Sequence, residues 1–171
     1  MTHRDPIVEF FSGGVDGEGR RLADMLGWDD DRLERVHDYI QWVFPTRQPS
    51  GVNPFAPLVT GATIEAFVAD ASLSTRLREA LDRMLRFYGL RRNGERIEID
   101  PARFADRART WLHAGNHNHL RLTRIMESVA TLGLADDARA LQRCLLDDVA
   151  GGAGARRISP RTLDFWRRAV W

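Results

Sequence analysis

The sequence has no lysine, one cysteine and almost no net charge. Its 25 basic residues are therefore all arginine, and 24 acidic residues leave a formal net charge of +1. A protein that binds nucleic acid regardless of sequence usually has a clear basic excess, because neutralising phosphates supplies its affinity. The charge balance argues against that class, and we expect no nucleic-acid partner.

The shortage of cysteine and of long apolar runs excludes further classes. Cys144 alone cannot form an intrachain disulfide or a metal site built on a Cys-x-x-Cys pair. Residues 1–11 lack the basic and apolar regions of a secretory signal peptide. No apolar run approaches the roughly 20 residues that a membrane-spanning helix needs. We therefore expect a cytoplasmic protein without a membrane span.

The sequence also lacks the common catalytic motifs. It contains no GxSxG, Walker or GxGxxG pattern. Its three acidic clusters fall at the ends of predicted helices, and capping and solvation explain two of them, Asp29-Asp30-Asp31 and Asp136-Asp137. We therefore predict no catalytic residue, no cofactor and no enzymatic activity.

What the sequence does contain is helical periodicity. Apolar residues make up 43% of the chain and charged residues 29%, which is typical of a globular protein. Residues 90–99 give the only strand signal, and Asn93-Gly94 is a dipeptide preferred in tight hairpin turns. We predict an all-α fold, a single compact domain over residues 1–171 with about seven helices and one short β-hairpin-like loop.

The stretch Arg32–Pro45, RLERVHDYIQWVFP, is predicted to be one continuous helix that Pro45 ends. His37 falls inside its apolar stripe, which predicts a core histidine, with a ligand role as the alternative. Trp42 falls on the opposite side of the helix. It is either covered by a neighbour, such as the C-terminal helix, or presented to a partner.

A second informative helix is predicted over residues 116–133. His117, Arg121 and Arg124 form a polar stripe that begins at the positive N-terminal end of this helix. Backbone donors, a histidine and two guanidinium groups would suit an anion or a carboxylate. The alternative is that both arginines pair with acidic neighbours while His117 or Asn118 caps the helix. Asn118 falls within the apolar face, so it must be hydrogen-bonded if it is buried.

Three histidines, His113, His117 and His119, lie close together in the sequence. Histidines four residues apart on one helix can bind zinc. Here Gly115-Asn116 interrupts the predicted helix, and no glutamate lies between the histidines to act as a base. We therefore expect no metal site.

Three strings resemble the conserved region of the opioid growth factor receptor family: HDYIQWVFP (His37–Pro45), NPFAP (Asn53–Pro57) and NHNHLRLTRIMESVATLGL (Asn116–Leu134). The resemblance implies an all-helical fold and a signalling receptor for a short peptide, without the seven-helix bundle of membrane opioid receptors. It supplies no ligand-contact residues. The absence of lysine leads us to expect a bacterial member.

Two functional hypotheses follow. In the first, the protein is a receptor for a peptide or small anionic ligand, and both informative segments line one site. In the second, it is a structural module that binds another protein or a second copy of itself, without a small ligand. The predicted ligand-binding residues are His37, Tyr39, Gln41, Trp42, His117, Asn118, Arg121 and Arg124.

Overall fold

The structure is a computed structural model that describes residues Arg4–Trp171. This part of the chain is mostly helical, with ten α-helices, a π-helix and one two-stranded antiparallel sheet, which confirms the predicted fold class. In chain order the elements are α1 (Pro6–Phe11), α2 (Leu22–Leu26), α3 (Asp30–Arg35), α4 (Ile40–Val43), α5 (Gly61–Ala69), α6 (Ala71–Tyr88), β1 (Leu90–Asn93), β2 (Arg96–Ile99), α7 (Phe104–Trp111), α8 (Asn118–Thr131), α9 (Ala135–Arg143), the π-helix (Cys144–Ala153) and α10 (Pro160–Arg168).

The described chain divides into two compact units. The first contains the residues up to Ala80 together with Thr131–Gly133, and the second contains Leu81–Ala130 and Leu134–Trp171. The expectation of a single domain over residues 1–171 stays a prediction. Between Arg4 and Trp171, no helix combines the length and the hydropathy that crossing a bilayer requires.

Side-chain caps begin several of the helices. Asp29 caps α3 by accepting a hydrogen bond from the Arg32 amide at 2.7 Å, and Ser159 caps α10 in the same manner. The cap of α5 is Thr60, and Thr63 completes the capping box three residues later.

The prediction of one continuous helix over Arg32–Pro45 is wrong. Helix α3 ends before Val36, whose backbone is extended (φ −86°, ψ 128°), and α4 begins four residues later. The Asp38 carbonyl accepts from the Asn53 side chain at 3.2 Å, and the Asp38 carboxylate accepts from Arg20 at 2.9 Å. These hydrogen bonds to distant residues hold the intervening chain out of the helix.

The hairpin is confirmed, but its turn is shifted by one residue. Asn93 pairs with Arg96, so the two turn residues are Gly94 and Glu95 rather than Asn93 and Gly94. Gly94 has a φ of +60°, and a glycine at the first turn position is typical of a type II′ turn. The hairpin therefore forms where predicted, through a different turn.

Sequence periodicity does not predict the π-helix. It predicts one α-helix from Asp136 or Asp137 to Gly151, whereas α9 ends at Arg143 and a wider helix follows. The Gly154 amide closes this segment by donating to the Val149 carbonyl at 2.6 Å, five residues back. Long π-helices are rare, and apolar spacing alone does not distinguish them from α-helices.

Candidate functional site

The four predicted ligand residues of the α3–α4 segment lie in the first unit, where two of them are buried. Tyr39 donates its hydroxyl to the Leu33 carbonyl at 3.0 Å, and its ring packs edge-on against Trp28 at 5.4 Å. Gln41 is also buried. When its side-chain amide is oriented with the nitrogen towards the backbone, this nitrogen donates to the carbonyls of His37 and Asp38 at 3.2 Å each. Both side chains therefore hold the bend between α3 and α4.

His37 and Trp42 lie nearer the surface. His37 is exposed, so the prediction of a core histidine is wrong, because the chain leaves the helical path at Val36. Trp42 is half-buried and packs edge-on against Phe10 of α1, with ring centroids 5.5 Å apart. The neighbour that packs on Trp42 is α1 rather than the C-terminal helix named in the prediction.

The other four predicted residues lie at the start of α8, in the second unit. The helix is capped by Asn116, whose side chain accepts from the Asn118 amide at 2.9 Å, rather than by His117 or Asn118. Asn118 is buried and accepts from the Tyr88 hydroxyl at 3.2 Å, which satisfies the predicted need for a partner. His117 is exposed, whereas Arg121 is buried.

Arg124 and Glu127 lie one turn apart on the same edge of α8. Burial lowers the pKa of Arg124, and the charge of Glu127 partly opposes this effect. Burial likewise raises the pKa of Glu127. Ser128 follows, and its buried hydroxyl has no hydrogen-bond partner among the described residues. The charged groups on this edge are therefore partly dehydrated, so they would interact with a charged ligand more strongly than they would in water.

The three histidines have separate environments. His113 is exposed and contacts the Asn116 amide at 3.0 Å, whereas His119 is buried between the edges of Trp111 and Trp166. The His119 Nε2 lies 2.9 Å from the Trp111 carbonyl. Because a carbonyl only accepts, this nitrogen carries the proton. Among residues 4–171, no three histidine, cysteine, aspartate or glutamate side chains cluster as a metal site.

His119 makes stability depend on pH. Burial lowers its pKa below the ordinary value of 6.5, and the nearby charges of His113 and His117 lower it further. The hydrogen bond to Trp111 acts in the opposite direction and raises the pKa. The unfolded chain therefore takes up this proton first, and stability is lost as the pH falls below 6.5. Denaturant titration measures the free energy of unfolding at each pH. Between pH 7.5 and about pH 5.5, we expect this free energy to fall less in His119→Gln than in the wild type. His113→Gln is the exposed control, and equal losses in the wild type and His119→Gln would contradict the assignment.

A cavity that sequence analysis did not predict lies in the first unit, between α1, α2 and α6. Its volume is about 240 Å³. We call it the α1–α2 pocket. Its lining includes three apolar side chains, Phe10, Phe11 and Leu22, and three charged ones, Arg21, Arg76 and Glu79.

The guanidinium groups of the two arginines in the α1–α2 pocket have only neutral hydrogen-bond partners among the described residues. Arg21 donates to the Gly13 carbonyl at 2.7 Å, and Arg76 donates to the Phe11 carbonyl. In the described part of the chain, neither guanidinium forms an ion pair, and Glu79 forms none either. An arginine has five N–H donors, so each guanidinium keeps donors for a ligand. Arg21 and Arg76 belong to no motif, and only the three-residue spacing of Arg76 and Glu79 on one helix gives a sequence signal.

A second cavity, of about 320 Å³, lies in the second unit between β2 and the π-helix. Charged side chains dominate its lining, including Arg96, Arg143, Asp147 and Asp148. Cys144 also lines this cavity, and burial and the Asp148 carboxylate raise the pKa of its thiol to about 12. The thiolate is the reactive form of cysteine, so this thiol is inert at neutral pH.

Comparison with known proteins decides the family. Residues 21–171 match the family model of the opioid growth factor receptor (OGFr) conserved region. The chain belongs to the opioid growth factor receptor family. The opioid growth factor receptor of Rattus norvegicus is 36% identical over 157 residues, which are 89% of this chain and 27% of that protein. The opioid growth factor receptor of Homo sapiens is 34% identical, over 87% of this chain and 22% of that protein.

The family also includes receptor-like members. Opioid growth factor receptor-like protein 1 of Mus musculus is 33% identical over 126 residues, which are 70% of this chain and 26% of that protein. The chain thus spans about a quarter of the length of these curated relatives. No solved structure matches it. The predicted family resemblance is confirmed by these comparisons.

Proposed function

We propose that this protein is a receptor-like binding protein for a peptide or a small anionic ligand, and that it is not an enzyme. Membership of the opioid growth factor receptor family supports the receptor-like part. We also propose, from composition alone, a bacterial source and a cytoplasmic location.

The observation that carries the ligand proposal is the pair of arginines in the α1–α2 pocket. Arg21 and Arg76 line a cavity with apolar walls, and among the described residues their guanidinium groups hydrogen-bond only to backbone carbonyls. Guanidinium groups bind carboxylates through paired, charge-assisted hydrogen bonds, which are stronger near apolar surface than in water. A ligand with an apolar body and a negative charge would match both features.

The test compares an anion with its neutral counterpart. We expect phenylacetate, and not phenylacetamide, to shift the amide NMR signals of Gly13 and Ala23, which line the α1–α2 pocket. Removing the charge-assisted bonds in the double variant Arg21→Gln/Arg76→Gln should weaken binding by about tenfold or more.

Arg124→Gln serves as the matched control on the edge of α8. If only this variant weakens phenylacetate binding, the predicted site around His117, Arg121 and Arg124 is the ligand site. Equal shifts from phenylacetate and phenylacetamide would contradict recognition of an anion at either place. Roles for the eight residues predicted from the sequence stay predictions until this comparison is made.

The alternative function, a structural interaction module, is favoured by a different observation. The loop after α4 exposes apolar side chains, with Val52 69%, Phe55 94% and Leu58 42% exposed. Such side chains are often covered by a protein partner or a second copy of the chain. Self-association predicts a sedimentation coefficient that rises with concentration and falls for Phe55→Ser. A wild-type protein that stays monomeric at high concentration would contradict self-association.

A further inference from the structure

We propose that the α1–α2 pocket binds the C-terminal residue of a peptide whose last side chain is apolar. This inference rests on the proposed function and narrows its ligand to one chemical class. It assigns three contacts: the terminal carboxylate to Arg21 and Arg76, the backbone N–H of the last residue to Glu79, and its side chain to the apolar wall.

The size and the wall of the pocket fit a single apolar side chain. The accessible part of the apolar wall comes from Ala23 and Leu26 of α2. Behind it lie Leu22, which is 5% exposed, and the fully buried rings of Phe10 and Phe11, which pack edge-on at 5.7 Å. These rings are fixed by the core, so the wall exists before a ligand arrives. The volume of about 240 Å³ lies below the range of about 300–1,000 Å³ that is typical of sites for drug-sized ligands. One amino-acid residue is therefore a better match than a larger molecule.

The two guanidinium groups define the charged end of the ligand. Arg76 is half-buried and Arg21 is exposed, so the first lies deeper in the protein surface. Each is held by a hydrogen bond to a carbonyl of the segment that ends α1, at Phe11 and Gly13. This anchoring limits the entropy lost when a carboxylate binds, because the side chains are already partly ordered.

Glu79 distinguishes a peptide from a simple fatty or aromatic acid. It follows Arg76 by three residues on α6, which places the two side chains on one face of the helix. A bare carboxylate ligand would bring its negative charge towards Glu79 without any compensating donor. The last residue of a peptide presents a carboxylate and an N–H on the same carbon atom, so it satisfies arginine and glutamate together.

The exposure of Glu79 also gives the direction of the peptide. Glu79 is open to solvent, whereas Phe10 and Phe11 are buried. The peptide N–H that would donate to Glu79 therefore lies at the solvent side of the pocket. The preceding residues of the peptide can extend from this side into solvent, so they need no additional cavity in the protein.

The test compares four probes by isothermal titration calorimetry: acetyl-glycyl-glycyl-leucine, the same peptide with a C-terminal amide, free leucine and hexanoate. We expect the peptide acid to bind at least about tenfold more tightly than its amide and than hexanoate, because each loses a charge-assisted hydrogen bond. Glu79→Met should weaken binding of the peptide acid by about tenfold, because the N–H of its last residue loses its acceptor. The same variant should strengthen binding of hexanoate, because it removes the negative charge that faces a bare carboxylate. Glu65→Met, an exposed glutamate on α5 outside the pocket, is the control and should change neither.

The outcomes separate this inference from the proposed function. If hexanoate binds as tightly as the peptide acid and Glu79→Met changes neither, recognition of a peptide end is overturned while anion binding stands. If free leucine binds as tightly as the peptide acid, the pocket is a site for a free amino acid and the peptide assignment is overturned. If no carboxylate binds, both the inference and the proposed anion site fall.

Discussion

Replacing Trp166 with alanine is expected to lower the free energy of unfolding by about 3–5 kcal/mol. Trp166 lies on α10, is 0% exposed, and packs edge-on against His119 at 5.9 Å. Its indole nitrogen donates to the His119 carbonyl at 3.2 Å. The variant therefore opens a large cavity and removes a buried hydrogen bond from the second unit.

Trp171 offers a matched control, because it is the same residue type on the same terminal segment. It is 78% exposed, so Trp171→Ala should change the free energy of unfolding by less than about 0.5 kcal/mol. Urea titrations followed by circular dichroism at 222 nm measure both variants. If the free energy of unfolding fell by a similarly small amount in both variants, the burial of Trp166 would not contribute to stability as expected.

The all-α fold class is predictable from the sequence because the apolar residues follow the helical period. Local structure is not predictable where it depends on a partner that is distant in the sequence. The bend after Val36 depends on hydrogen bonds from Asn53 and Arg20 to Asp38, and no pattern within the segment indicates these bonds. His37 was misplaced for this reason, since its predicted burial assumed an unbroken helix.

The candidate site was less predictable than the fold. The α1–α2 pocket joins Arg21 and Arg76, which are far apart in the sequence and belong to different helices. In an arginine-rich chain with many acidic residues, the sequence does not show which guanidinium groups stay outside ion pairs. By contrast, the hydrogen bond of Asn118 followed from its position on an apolar face, because a buried amide must have a partner.

The second large effect is expected at Gly89, the residue that follows α6. Its φ of +75° is strained for any residue with a side chain, at a cost of about 1–2 kcal/mol. A Cβ atom there would also lie 2.7 Å from the Phe104 Cα and 3.1 Å from the Arg107 Cβ. Since the nearest atom is backbone, helix α7 itself must move, and overpacking of this kind typically costs about 1–3 kcal/mol more.

We therefore expect Gly89→Ala to lower the free energy of unfolding by about 3 kcal/mol. Gly94→Ala is the control, because Gly94 also has a positive φ, +60°, but no atom lies within 4 Å of its added Cβ. Gly94→Ala should lower the free energy of unfolding by only about 1 kcal/mol, which is the cost of the backbone strain alone. Urea titration of both variants isolates the cost of the close approach between Gly89 and α7. Equal losses would mean that α7 moves away at little cost, and that the end of α6 does not fix the position of α7.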